Sequence, residues 1–165
     1  MDWVSRVPRQ GRRLEPARTD LSIYSRDGRL RAAVLISGVR KTSPGWAAEY
    51  RRNLLAHGPL PPGDFFLIVT PDRVYLWKDA GTEPAVVPPD YAIDGRPIFS
   101  PYLEQTSLEL DKINKLTFEL LVDSWFTDLI WLRPAEDLAR SQSWLVESGF
   151  LAAVRDGRVI DESAA

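Results

Sequence analysis

The chain has 165 residues and a mass of 18.7 kDa, the size of one ordinary domain, and its 44% hydrophobic and 27% charged content argues against collagen-like, coiled-coil and wholly disordered classes. It contains no cysteine and one histidine, His57, which together remove disulfides, thiolate metal sites, cysteine nucleophiles and multi-histidine metal centres. The net charge of −2 conceals a segregation, with 12 Arg and Lys against 5 Asp and Glu in residues 1–60 and 9 against 18 thereafter.

The elements follow in chain order. Residues 1–16, with Arg6, Arg9, Arg12 and Arg13 among Pro8, Gly11 and Pro16, show neither hydrophobic period and read as an irregular basic arm. They lack the apolar core of a secretory signal, and no apolar run in the chain reaches the roughly 20 residues of a membrane span, so a cytoplasmic protein is expected. A short alternating strand begins after Asp20 and stops at Arg26-Asp27-Gly28, a hairpin signal. Leu30 to Ile36 is continuously apolar, as a strand covered on both faces should be, and it is expected to continue through Ser37-Gly38-Val39.

Ser43 and Pro44 then announce a helix as N-cap and first helical residue. Within residues 46–57 the spacing of Trp46, Tyr50 and Leu54 predicts its buried face, and Gly58-Pro59 ends it, leaving His57 to complement the helix dipole. Phe65 to Val69 and Val74 to Trp77 predict two strands about the turn Pro71-Asp72. The proline-rich residues 79–101 predict a long connection of little regular structure. Two helices close the chain. One carries Ile113, Leu116, Leu120, Leu121, Trp125 and Leu129; the other spans 141–154 with an interruption at Gly149. The tryptophans, Trp131 among them, read as core anchors. The whole predicts an α/β fold, a mixed β-sheet flanked by helices with a C-terminal helical extension over about 103–156, and one domain from residue 17 onward.

The order strand, hairpin, strand, helix, strand, opened by Asp20 and carrying Trp46-Ala47-Ala48-Glu49-Tyr50-Arg51-Arg52-Asn53-Leu54-Leu55-Ala56-His57-Gly58 and Tyr75-Leu76-Trp77-Lys78, resembles the core of the PD-(D/E)xK restriction-endonuclease-like superfamily over about residues 17–78. That resemblance implies a phosphodiesterase site in which the first aspartate and a following acid hold Mg²⁺ while a lysine activates water. Hard oxygen ligands suit Mg²⁺, and the ion neutralises charge developing on the phosphate. Asp20 matches the first aspartate. No Asp or Glu occurs from Arg29 to Lys41, and where the motif has acid-x-lysine the chain has Ser37-Gly38-Val39. The superfamily core also begins with a helix ahead of its first strand, whereas here only the arm precedes Asp20.

Three functional expectations follow. The first is a catalytically degenerate nuclease-fold domain kept for nucleic-acid binding or regulation, with Arg12, Arg13, Arg51 and Arg52 as the phosphate contacts. The second is an active Mg-dependent DNA endonuclease with a rebuilt site. Here Asp20 and Glu49 are the metal ligands, and Lys41 the cation if its strand continues that far. Glu49, about 60° around the helix from Trp46, would point back at the sheet. The third is a protein-interaction module, or a homodimer, joined through the acidic half and its apolar helices. Only the second requires a cofactor.

Overall fold

The computed structural model describes residues 19–60 and 63–162. Six strands form one mixed sheet: β1 (Leu21–Tyr24), β2 (Leu30–Ile36), β3 (Phe65–Val69), β4 (Arg73–Lys78), β5 (Tyr91–Asp94) and β6 (Arg158–Asp161), in the order β5-β4-β3-β2-β1-β6. Helix α1 (Pro44–His57) makes the crossover between β2 and β3, which pair parallel from Ala32 with Phe65 to Ile36 with Val69; the other neighbours are antiparallel. A parallel pair cannot be joined by a tight turn, so the helix between the two strands is the expected connection. At the β1–β2 hairpin Gly28 takes φ 86°, which a side chain would oppose.

Strand alternation sorts the core into two layers. Ala33, Leu35, Phe66, Ile68, Tyr75 and Trp77 face α1, packing on Ala47, Leu55 and Leu60. Leu21, Ile23, Val34, Ile36, Leu67, Val69 and Leu76 face the opposite way, against Phe118, Trp125, Phe126, Trp144 and Phe150 of the C-terminal helices. With both faces covered, β2 and β3 need apolar residues at every position, which is why they read as unbroken apolar runs.

The C-terminal half departs from the sequence expectation. Residues 79–101 contain an edge strand, β5, and a single helical turn, α2 (Arg96–Phe99), which runs into a 3-10 turn (Ser100–Leu103). Four residues flanked by prolines are too short for periodicity to expose, and only pairing with β4 makes them a strand. The first long helix is α3 (Lys115–Thr127), followed by a π-helical turn (Asp128–Leu132). The second is broken into α4 (Ala135–Ser141), α5 (Ser143–Glu147) and α6 (Phe150–Val154), the last break at Gly149 with φ 83°. Leu116, Leu120 and Trp131, expected in the core, are exposed. The buried stripe of α3 is instead Phe118, Leu121, Val122, Trp125 and Phe126.

Strand β6 was not legible in the sequence. It adds to β1 as Leu21 opposite Asp161 through Tyr24 opposite Arg158. Gly157 permits this approach, since a Cβ there would stand 1.9 Å from the Tyr24 carbonyl oxygen. No helix among the described residues is long and apolar enough to cross a membrane.

Candidate functional site

Asp20 stands one residue before β1, and its groups extend the sheet by one step. Its N–H donates to the Val34 carbonyl at 2.8 Å, its carbonyl accepts from Glu162 N–H at 2.9 Å, and its Oδ2 accepts from Ile36 N–H at 2.6 Å. The carboxylate thus takes the place of a backbone carbonyl at the end of the β1–β2 ladder. A charge-assisted bond of this length to a partly buried N–H is a structural role for the side chain.

The next residues lead the chain out of the sheet. Ser37, where the resemblance implies an acid, is buried; its N–H donates to the Val69 carbonyl at 2.9 Å and its Oγ accepts from Val39 N–H at 3.2 Å. Strand β2 ends at Ile36, so it does not carry Lys41. Lys41 lies in the following loop at φ 59°, exposed, with its backbone N–H donating to Asp72 Oδ2 at 2.9 Å. Asp72 in turn accepts from Thr70 Oγ1 at 3.1 Å, and Thr42 Oγ1 meets the Tyr75 hydroxyl at 2.8 Å. Burial pushes the Tyr75 phenol above its ordinary range, against the bond to Thr42.

These groups gather at the carboxyl ends of the parallel strands, where open α/β sheets commonly place ligands. Asp72 is the acid that sequence reasoning missed, and its only signal was the turn-forming Pro71-Asp72. It does not stand where the resemblance implies a second acid. Asp20 pairs on the β1 side of β2 while Asp72 closes the β3–β4 turn, about two inter-strand spacings or ~10 Å away. Mg–O distances are about 2.1 Å, so one ion cannot take both carboxylates without breaking their backbone bonds.

Helix α1 is rotated relative to its expected setting. Its buried residues are Ala47, Ala48, Arg51 and Leu55, whereas Trp46, Tyr50 and Leu54 are only partly buried. The small Ala47 and Ala48 let the helix axis approach the sheet, and the aromatic stripe lies to one side, with Trp46 against Tyr75 at 6.4 Å between ring centroids. Glu49 is two positions from both Ala47 and Arg51, about 200° around the helix from each, and is exposed. It therefore points away from the sheet, about a helix diameter of ~10 Å from it, and not back toward Asp20. Asp20, Glu49 and Lys41 do not form a constellation that fits Mg²⁺. Among the described residues no three His, Asp or Glu side chains stand together as a metal site.

Of the expected phosphate contacts, Arg12 and Arg13 lie outside the described residues. Arg52 is partly buried. Arg51 is not on the surface at all: it is buried under α1, with Nη2 donating to the Gly81 carbonyl at 2.9 Å. Arg40 is also drawn inward, its Nη2 donating to the Leu110 and Ile113 carbonyls at 2.9 and 3.1 Å. Structural roles thus take up Arg40 and Arg51 among the described basic residues of the first half. His57 behaves as its position suggests, with Nδ1 2.7 Å from the Asn53 carbonyl at the helix end.

A separate cleft of about 640 Å³ opens on the other face, between β5, the 3-10 turn, the π-helical turn and the α4–α5 junction. Tyr102, Asp128, Arg133, Gln142 and Trp144 line it, and the Tyr102 hydroxyl donates to Asp128 Oδ2. Burial first, and then the neighbouring carboxylate, raise the Tyr102 phenol far above its ordinary range, so it remains a donor at all physiological pH.

No protein-family model matches the chain, and neither a curated protein nor a solved structure does so.

Proposed function

We propose that this chain is a non-catalytic domain on a restriction-endonuclease-like scaffold, with a binding or regulatory role in place of phosphodiester cleavage. The scaffold reading is supported by the succession β1–β2–α1–β3, opened by Asp20. It is also consistent with β6, which comes from the far end of the chain and pairs antiparallel with β1. One observation carries the loss of catalysis: the Asp20 carboxylate closes the sheet onto Ile36 N–H, with Ser37 in the acid's place. A lone carboxylate already committed to the backbone is a poor ligand for an ion that usually takes one or two carboxylates plus phosphate oxygens.

Purified protein incubated with supercoiled plasmid and 10 mM Mg²⁺ or Mn²⁺ tests this reading. No cleavage is expected, and cleavage that disappears in Asp20→Ala would overturn it.

A second reading, a protein-interaction module, is favoured by the exposed Leu116 and Leu120, one turn apart on α3, and by exposed Trp131 and Leu132 beyond it. A fluorescent duplex titrated at low and high salt separates the two partner classes. Phosphate contacts make affinity fall steeply with salt, and no affinity at 20 mM salt favours the protein partner.

A further inference from the structure

Arg51 is 1% exposed, and its charge has no carboxylate partner among the described residues. Nη2 uses the Gly81 carbonyl at 2.9 Å and, more weakly, that of Ala80 at 3.4 Å, and the guanidinium carbon lies 5.9 Å from the centroid of the Trp77 ring. Nε and Nη1 are buried without an acceptor. Carbonyl dipoles and an aromatic face offset part of a buried cation's desolvation, but arginine is almost never fully buried unless paired with an opposite charge. Burial alone already pushes the guanidinium pKa down, as expected for a cation short of compensation.

The space beside this side chain is not filled by the described residues. A cavity of about 80 Å³ is lined by Arg51, Ala33, Asp64, Phe66, Trp77 and Gly81. One water takes up roughly 30 Å³, so the cavity has room for a few waters or one compact oxyanion. Asp64, the acid on its wall, is engaged by Arg31 Nε at 2.6 Å, and those two charges cancel. Arg51 is left as the net charge of the cavity. Part of its wall is the turn after β4, where Asp79 and Gly81 both take positive φ, and Arg51 holds that turn by its carbonyls.

We infer that this cavity is a binding site for a compact oxyanion of the phosphate, sulfate or carboxylate type, held by the buried guanidinium of Arg51. The site lies at the start of β3 and the end of β4, the opposite end of the sheet from Asp20, and is independent of the scaffold reading. Bound oxyanion balances the Arg51 charge from the cavity and fastens the turn after β4 to α1.

Thermal unfolding of the full chain in sodium phosphate, sodium sulfate and sodium acetate, each matched in ionic strength to sodium chloride, provides the test. At least one oxyanion raises Tm saturably, by roughly 5–10 °C at a hundredfold excess over its Kd, with one site per chain by calorimetric titration. Chloride does not. Arg51→Met abolishes the response, and Arg51→Lys, which keeps a charge with fewer fixed donors, weakens binding tenfold or more and serves if the methionine variant does not fold. Wild-type protein that binds none of the three anions overturns the inference, as does an equal response to all four salts or an undiminished response in both variants.

Discussion

Replacing Asp20 separates a structural carboxylate from a metal-binding one. Asp20→Ala removes the acceptor for Ile36 N–H at 2.6 Å and leaves a partly buried donor unpaired at the edge of the β1–β2 ladder. Stranding such a donor costs about 1–2 kcal/mol, and at about 2–4 °C per kcal/mol for a chain of this size Tm should fall by roughly 2–8 °C. Asp20→Asn keeps an oxygen in the same place and loses only the charge-assisted part of the bond, so its cost should be less than half that of alanine. The measurement is urea unfolding followed by tryptophan fluorescence, with an unchanged m value confirming that the same two states are compared. Mg²⁺ at 10 mM should shift the midpoint of none of the three proteins. If asparagine destabilises as much as alanine, or if Mg²⁺ stabilises the wild type and not the asparagine variant, the assignment of this carboxylate to the sheet is wrong.

Other consequences are open to equally direct measurement. Gly157→Ala drives a methyl into the Tyr24 carbonyl and should cost more than about 3 kcal/mol, or release β6 altogether, seen as loss of amide protection over residues 158–161 by hydrogen exchange. Tyr102→Phe deprives Asp128 of its donor in the 640 Å³ cleft, and chemical denaturation should show a loss of about 1–2 kcal/mol. The Asp123 carboxyl is raised above its ordinary range, by burial first and then by Asp161. A raised folded-state pKa means that its contribution is complete below the unfolded value of about 3.9 and is lost as pH climbs through the folded value. Asp123→Asn should therefore stabilise at pH 7 by only a few tenths of a kcal/mol, the side chain being largely exposed, and the gain should vanish near pH 3; a gain that grows on acidification contradicts this. Phe126→Ala, which empties a fully buried site facing Phe150 and Trp125, should cost about 3–5 kcal/mol in the same unfolding assay.

The sequence by itself determined the first half of the sheet. Its Asp-Gly turn, its unbroken apolar runs at Leu30–Ile36 and Phe65–Val69, and its Ser43-Pro44 helix start are local signals, readable because each is specified within a few neighbouring residues. It also showed the absence of an acid between Arg29 and Lys41, which no folding can restore. The rotation of α1 was beyond it. Trp46, Tyr50 and Leu54 made the more hydrophobic stripe, yet Ala47, Ala48, Arg51 and Leu55 are buried, because close approach of helix to sheet favours small side chains that periodicity ranks low. That rotation turned Glu49 outward and Arg51 inward, exchanging the parts that spacing had suggested for them. The edge strands β5 and β6 likewise exist only through pairing with distant partners, and the use of the Asp20 carboxylate rests on a residue 16 positions away in sequence. Long-range pairing and the depth at which a helix seats are settled by the packed chain as a whole, and they decided which charged groups face solvent, protein or cavity.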